Sequence, residues 1–142
     1  MASGAADIEA FTMGDYDEAL ALWKATPGMG LSGADERESL SAFLERNPGL
    51  SFVARSEGKL VGTALCGTDG RRGFLYHLAV RPDLRGRGLG GELARSCLSA
   101  LAARGVGKCH LFVLADNAIG AAFWKKEGWK LRDDLLTFSK ET

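Results

Sequence analysis

Residues 74–101 read Phe-Leu-Tyr-His-Leu-Ala-Val-Arg-Pro-Asp-Leu-Arg-Gly-Arg-Gly-Leu-Gly-Gly-Glu-Leu-Ala-Arg-Ser-Cys-Leu-Ser-Ala-Leu. The first seven form an apolar run that predicts a buried strand, Phe74 to Val80. From Leu89 onward, Leu93, Cys97, Leu98 and Leu101 recur at helical spacing and predict a helix. Between them, Arg85-Gly86-Arg87-Gly88-Leu89-Gly90 places glycines at alternate positions beside two arginines. Such a backbone carries few side chains and opens a helix whose first N–H groups have no carbonyl partner, so an anion can approach it closely. The expected occupant is a pyrophosphate.

Upstream, Ile8 to Phe11 predicts a short strand, and a helix begins at Asp15 with Tyr16, Ala19, Leu20, Leu22 and Trp23 on its apolar side. A second helix follows Ser32 to Asp35 and carries Leu40, Phe43 and Leu44 before Asn47-Pro48-Gly49 stops it. Ser51 to Arg55 and Leu60 to Cys66 read as strands joined at Glu57-Gly58, and the turn from Thr68 to Gly73 returns the chain into Phe74. Downstream, Cys109 to Leu114 predicts a strand, Asp116 or Asn117 caps a helix over Ala118 to Lys126, and Trp129 to Arg132 with Leu135 to Ser139 predicts a final hairpin. The order implies an α/β fold with a mixed, mostly antiparallel sheet and helices on its faces, in a single domain over 1–142 with residues 1–6 flexible.

Lys plus Arg equal Asp plus Glu at 18 each, which favours neither a nucleic-acid binder nor a membrane-surface protein. The charges are segregated: residues 1–50 hold nine acids against Lys24, Arg37 and Arg46, and residues 71–108 hold eight bases against Asp83 and Glu92. A basic half suits an anionic co-substrate and an acidic half a cationic acceptor. Cys66, Cys97 and Cys109 lie in apolar runs without Cys-x-x-Cys spacing, as reduced core residues of a cytoplasmic protein do. No basic leader and no run of 18 apolar residues is present, so neither a signal peptide nor a membrane span is expected. The separated His77 and His110 argue against a metal site.

Gly86, Gly88 and Gly91 satisfy Gly-x-Gly-x-x-Gly, yet the context opposes a dinucleotide site. Arg81-Pro82-Asp83-Leu84 separates the loop from its strand, and the ribose-binding acid expected about 20 residues on is missing from 106–112. No Gly-Lys-Ser/Thr follows to make a triphosphate loop. A phosphate-bearing ligand of another kind remains.

The run from Leu78 to Gly90 resembles motif A of the GNAT superfamily of acyl-CoA-dependent N-acetyltransferases, Arg/Gln-x-x-Gly-x-Gly/Ala, which Arg85, Gly88 and Gly90 fill. Asn117, Trp124, Gly128 and Trp129 resemble motif B, and the likeness is nearest to the small single-domain bacterial, YpeA-like type. The resemblance implies a GNAT-like sheet with a V-shaped splay between strands 4 and 5, where an acetyl-CoA co-substrate enters. By this resemblance Leu78, Ala79 and Val80 hold the pantetheine arm and acetyl carbonyl, and Arg85, Gly86, Arg87, Gly88, Leu89 and Gly90 hold the pyrophosphate. Asn117 would bond the arm and also suits a helix cap; Trp124 stands where relatives carry a tyrosine.

The implied reaction moves an acetyl group from acetyl-CoA to a primary amine of a small molecule, amino acid or peptide, by direct attack in a ternary complex. An alkyl amine of pKa near 10.4 is roughly a thousandth neutral around pH 7.4, an obstacle of about 4 kcal/mol, so a base is needed. Where many relatives have a glutamate this chain has Phe74 and Phe112, and Trp124 cannot supply a proton to the thiolate. Tyr76 and His77 are the titratable groups nearest the expected acetyl site. Strand alternation predicts that they point to opposite faces, with Tyr76 on the side of Leu78 and Val80; His77 has the side chain type better suited to a base. The alternative reading is a non-catalytic acyl-CoA-binding sensor or regulatory module. A homodimer is compatible with either.

Overall fold

The computed structural model describes residues 6–142, so most of the segment expected to be flexible, 1–5, lies outside the described residues. The chain falls into two compact units, one ending at Phe112 and the other Val113–Thr142.

The first unit is built on a five-stranded sheet in the order β1 (Asp7–Ala10), β2 (Phe52–Ser56), β3 (Lys59–Thr68), β4 (Gly73–Val80) and β5 (Cys109–His110). The first three pairings are antiparallel and β4–β5 is parallel. The β2–β3 turn has Glu57 and Gly58 both at positive φ (52° and 77°), the tight two-residue hairpin that the dipeptide predicts. Helices α1 (Tyr16–Lys24) and α2 (Arg37–Arg46) bury Tyr16, Ala19, Trp23 and Leu40 against Val53, Leu65 and Ala79 of the sheet. Helix α3 (Leu89–Ala103) covers the other face: an added Cβ on Gly62 would come within 2.9 Å of Leu93, and one on Gly73 within 2.4 Å of Leu101. Thr63, one residue after Gly62, meets Trp23 of α1 instead, as strand alternation requires. Both glycines therefore mark where α3 lies close against the sheet.

β5 is shorter than expected. Its ladder with β4 consists of Gly73↔Cys109 and Phe74↔His110, and the predicted continuation to Leu114 is irregular. The edge of β4 that faces β5 thus loses its backbone partner after Phe74, which is the splay that the fold class requires.

In the second unit, α4 (Ala118–Lys126) is capped by Asn117, whose Oδ1 accepts from the Gly120 N–H at 2.9 Å. It closes at Gly128 (φ 92°), where Gly128 N–H donates to Lys125 and Trp129 N–H to Trp124. The expected hairpin over Trp129–Arg132 and Leu135–Ser139 is not formed; these residues are irregular, with Leu131, Leu135, Leu136 and Phe138 exposed. A two-stranded ribbon has little stability unless its apolar face is packed, and these side chains are largely exposed.

Candidate active site

Sequence alternation fails at the most informative point of β4. Thr63 pairs with Ala79 while Leu65 pairs with Tyr76, so two steps on β3 face three on β4 and the extra residue makes a bulge at His77–Leu78. His77 takes φ 50°, a left-handed conformation uncommon outside glycine. The bulge corrects the expectation that Tyr76 and His77 point to opposite faces. Both side chains meet the α1–α2 layer: the Tyr76 ring stands edge-on to Phe43 at 6.3 Å, and the His77 ring lies 4.7 Å from Trp23.

The bulge is held from beneath. Thr63 Oγ1 donates to the His77 carbonyl at 2.8 Å and accepts from Trp23 Nε1 at 2.9 Å, with both Trp23 and Thr63 fully buried. Its ring is held from the side, where Nε2 lies 2.6 Å from Asp35 Oδ1. Asp35 closes a 3-10 turn, Gly33–Asp35, that leads into α2; its Oδ2 accepts from the Ser32 N–H at 2.9 Å and its carbonyl accepts from the Tyr16 hydroxyl at 2.7 Å. The sequence marks Asp35 only as part of a helix start. Nothing in its spacing points to His77, 42 residues on.

Tyr76 is 40% exposed, and burial of the rest of the ring pushes its phenol above the usual range. It therefore keeps its proton through neutral pH. Leu78 is half-buried, and Ala79 and Val80 are buried in the strand that runs on into the loop.

Past β4, a 3-10 turn at Pro82–Leu84 leads to the glycine loop. Arg81 is engaged by Asp83 (Nε–Oδ1 2.6 Å), and Arg85 turns back so that its Nε donates to the Val80 carbonyl at 3.0 Å. Gly86 and Gly88 take φ 79° and 82°, and nothing lies within 4 Å of where a Cβ would stand on either. The first helical bond of α3 runs from Glu92 N–H to the Gly88 carbonyl at 3.1 Å, so the N–H groups of Leu89, Gly90 and Gly91 precede the ladder. Open space over bare donors at the positive end of a helix fits a pyrophosphate.

Asn117 and Trp124 belong to the second unit. Asn117 serves as the cap, and the Trp124 indole packs edge-on against Phe123 (4.9 Å) and Trp129 (5.1 Å), closing the turn at Gly128. Among the described residues no group of three or more His, Cys, Asp or Glu side chains could hold a metal ion, and no helix is long and apolar enough to cross a membrane.

The model of the Acetyltransferase (GNAT) family matches residues 16–129. This chain belongs to the GNAT family. An acetyltransferase of Sodalis glossinidius is 32% identical over 134 residues, covering 94% of each chain. One from Pectobacterium atrosepticum is 33% identical over the same length and coverage. The GNAT fold is shared with solved structures of low identity. The PaiA N-acetyltransferase of Thermoplasma acidophilum, in complex with coenzyme A, superposes with TM-score 0.79 at 20% identity over 91% of this chain and 92% of its own. AAC(6')-Iy bound to the bisubstrate analogue CoA-S-monomethyl-acetylneamine gives 0.76 at 18% identity, over 97% and 99%. The protein is thus a GNAT acetyltransferase.

Proposed function

We propose that the protein is an acetyl-CoA-dependent N-acetyltransferase whose acceptor is a primary amine of a small molecule, amino acid or peptide, reacting in a ternary complex. The reading takes 1–142 as one acetyltransferase domain, supported by a family match that runs through both units. The observation that carries it is the combination of a β4–β5 ladder that ends at Phe74 with the donor-lined loop that follows the same strand. Arg85 to Gly90 would hold the pyrophosphate, the backbone of Leu78, Ala79 and Val80 the arm and acetyl carbonyl, and Asn117 and Trp124 would add contacts to the co-substrate. The names of the two solved relatives, one crystallised with coenzyme A and one with a CoA–amine conjugate, support this donor and an amine acceptor.

Acetyl-CoA supplies the acetyl group as a thioester. As the new N–C bond forms and the C–S bond breaks, His77 takes the proton of the amine and the Tyr76 hydroxyl donates to the leaving sulfur. Both residues are on one face because of the bulge. The raised Tyr76 phenol stays protonated, which suits a donor and disqualifies it as the base.

Acetyl-CoA turnover, read as thiol release against a panel of amines, tests the proposal. Release with at least one amine is expected, and Tyr76→Phe should lower kcat by about 10-fold or more while leaving acetyl-CoA affinity unchanged. Binding of acetyl-CoA without release for any amine would refute the enzyme and leave a sensor.

A further inference from the structure

The His77–Asp35 contact has the geometry of an oriented base. The two side chains are only 12% and 11% exposed, and the 2.6 Å approach is through Nε2. A carboxylate can only accept, so the proton of this contact is on Nε2 and the lone pair of the neutral ring is on Nδ1. Among the described residues no buried side-chain nitrogen or oxygen lacks a partner, so Nδ1, which no hydrogen bond engages, is not fully buried. We propose that Asp35 is a positioning residue of the acetyl transfer: it fixes the tautomer of His77 and turns Nδ1 outward to receive the proton of the attacking amine.

The inference rests on the reading of His77 as the base and adds to it. Three observations support the added part. Asp35 is itself held at both ends, by the Ser32 N–H and by the Tyr16 hydroxyl, so it orients His77 instead of following it. The ring packs edge-on against Trp23, and its backbone is held left-handed by the Thr63 bond. Third, a histidine needed only for packing has no reason to occupy a left-handed bulge; backbone strain of this kind persists where the surroundings impose a function. The charged group in contact with the ring is Asp35; behind it, Tyr16 donates to the Asp35 carbonyl with Arg37 stacked over its own ring at 4.7 Å, and Arg37 pairs with Asp17.

The test uses Asp35→Asn in the full chain. The amide would donate to Nε2 and force the ring proton onto Nδ1, so kcat should fall by about 100-fold or more with the KM for acetyl-CoA unchanged. Asp35→Glu should recover part of the rate. A wild-type kcat in Asp35→Asn would overturn the proposal. His77→Asn separates the two readings, since asparagine tolerates the left-handed backbone: full activity in that variant removes the base itself, whereas its inactivity beside a fully active Asp35→Asn removes only the role of Asp35. If Asp35→Asn does not fold, nitrogen-15 spectra of the two histidines in the unaltered protein decide the matter. A ring proton on Nε2 of His77 is expected, and one on Nδ1 would refute the assignment.

Discussion

Two residues with left-handed backbones, His77 and Gly88, have opposite costs. For His77 the conformation costs about 1–2 kcal/mol relative to an extended strand, and the Thr63 bond and the Asp35 contact hold it there. For Gly88, at φ 82° directly before α3, the same region is free of steric cost and leaves the helix N–H groups uncovered. Gly88→Ala should therefore lower stability by about 1–2 kcal/mol in urea titrations and weaken acetyl-CoA binding about 10-fold or more by calorimetry, since an L residue strained at this φ shifts the loop that carries the donors. A variant that binds acetyl-CoA as tightly as the parent would show that the loop is not the anion site.

The relation between α1 and β4 is carried by a relay of three groups: Trp23 Nε1 to Thr63 Oγ1 to the His77 carbonyl. Valine has nearly the shape of threonine but neither donates nor accepts. Thr63→Val should leave the indole N–H and the carbonyl without partners and cost about 2–4 kcal/mol, read as a lower urea midpoint. It should also lower kcat, because the bulge beneath His77 loosens. A change below about 1 kcal/mol would mean that packing alone holds the bulge. The elements themselves were legible from local signals: apolar spacing for α1, α2 and α3, Glu57-Gly58 for the hairpin, and glycine for the end of α3, where Gly105 N–H donates to Ala102 and Val106 N–H to Leu101. The last hairpin was not, because its strand-like spacing is realised only where another surface takes its apolar face.

At the scale of the molecule, Arg55 gathers the start of the chain. It contacts Glu9 of β1, Asp15 before α1 and Glu18 within α1, and Glu18 also accepts the Leu60 N–H at 3.1 Å. The Leu60 bond first, and then Arg55, hold the Glu18 carboxyl below the ordinary carboxylate range. A lowered folded value means that the contribution to stability is complete above the unfolded value and is lost as pH falls through the folded one. The melting temperature should accordingly fall between about pH 5 and pH 3, and Glu18→Gln should flatten part of that slope; an unchanged slope would exclude this carboxylate as its source. Electrostatic ties of this sort, like the Asp35–His77 contact, join residues about 40 positions apart and leave no trace in local spacing. What the sequence by itself determined was the glycine loop and the helix that starts after it: the positive φ of Gly86 and Gly88 and the bare first N–H groups of α3 follow from backbone conformation, which is a local property. Only the tertiary structure decided where Tyr76 and His77 point. The faces of Tyr76 and His77 depend on one extra residue in the pairing of β4 with β3, and a single-residue shift in register reverses every side chain beyond it.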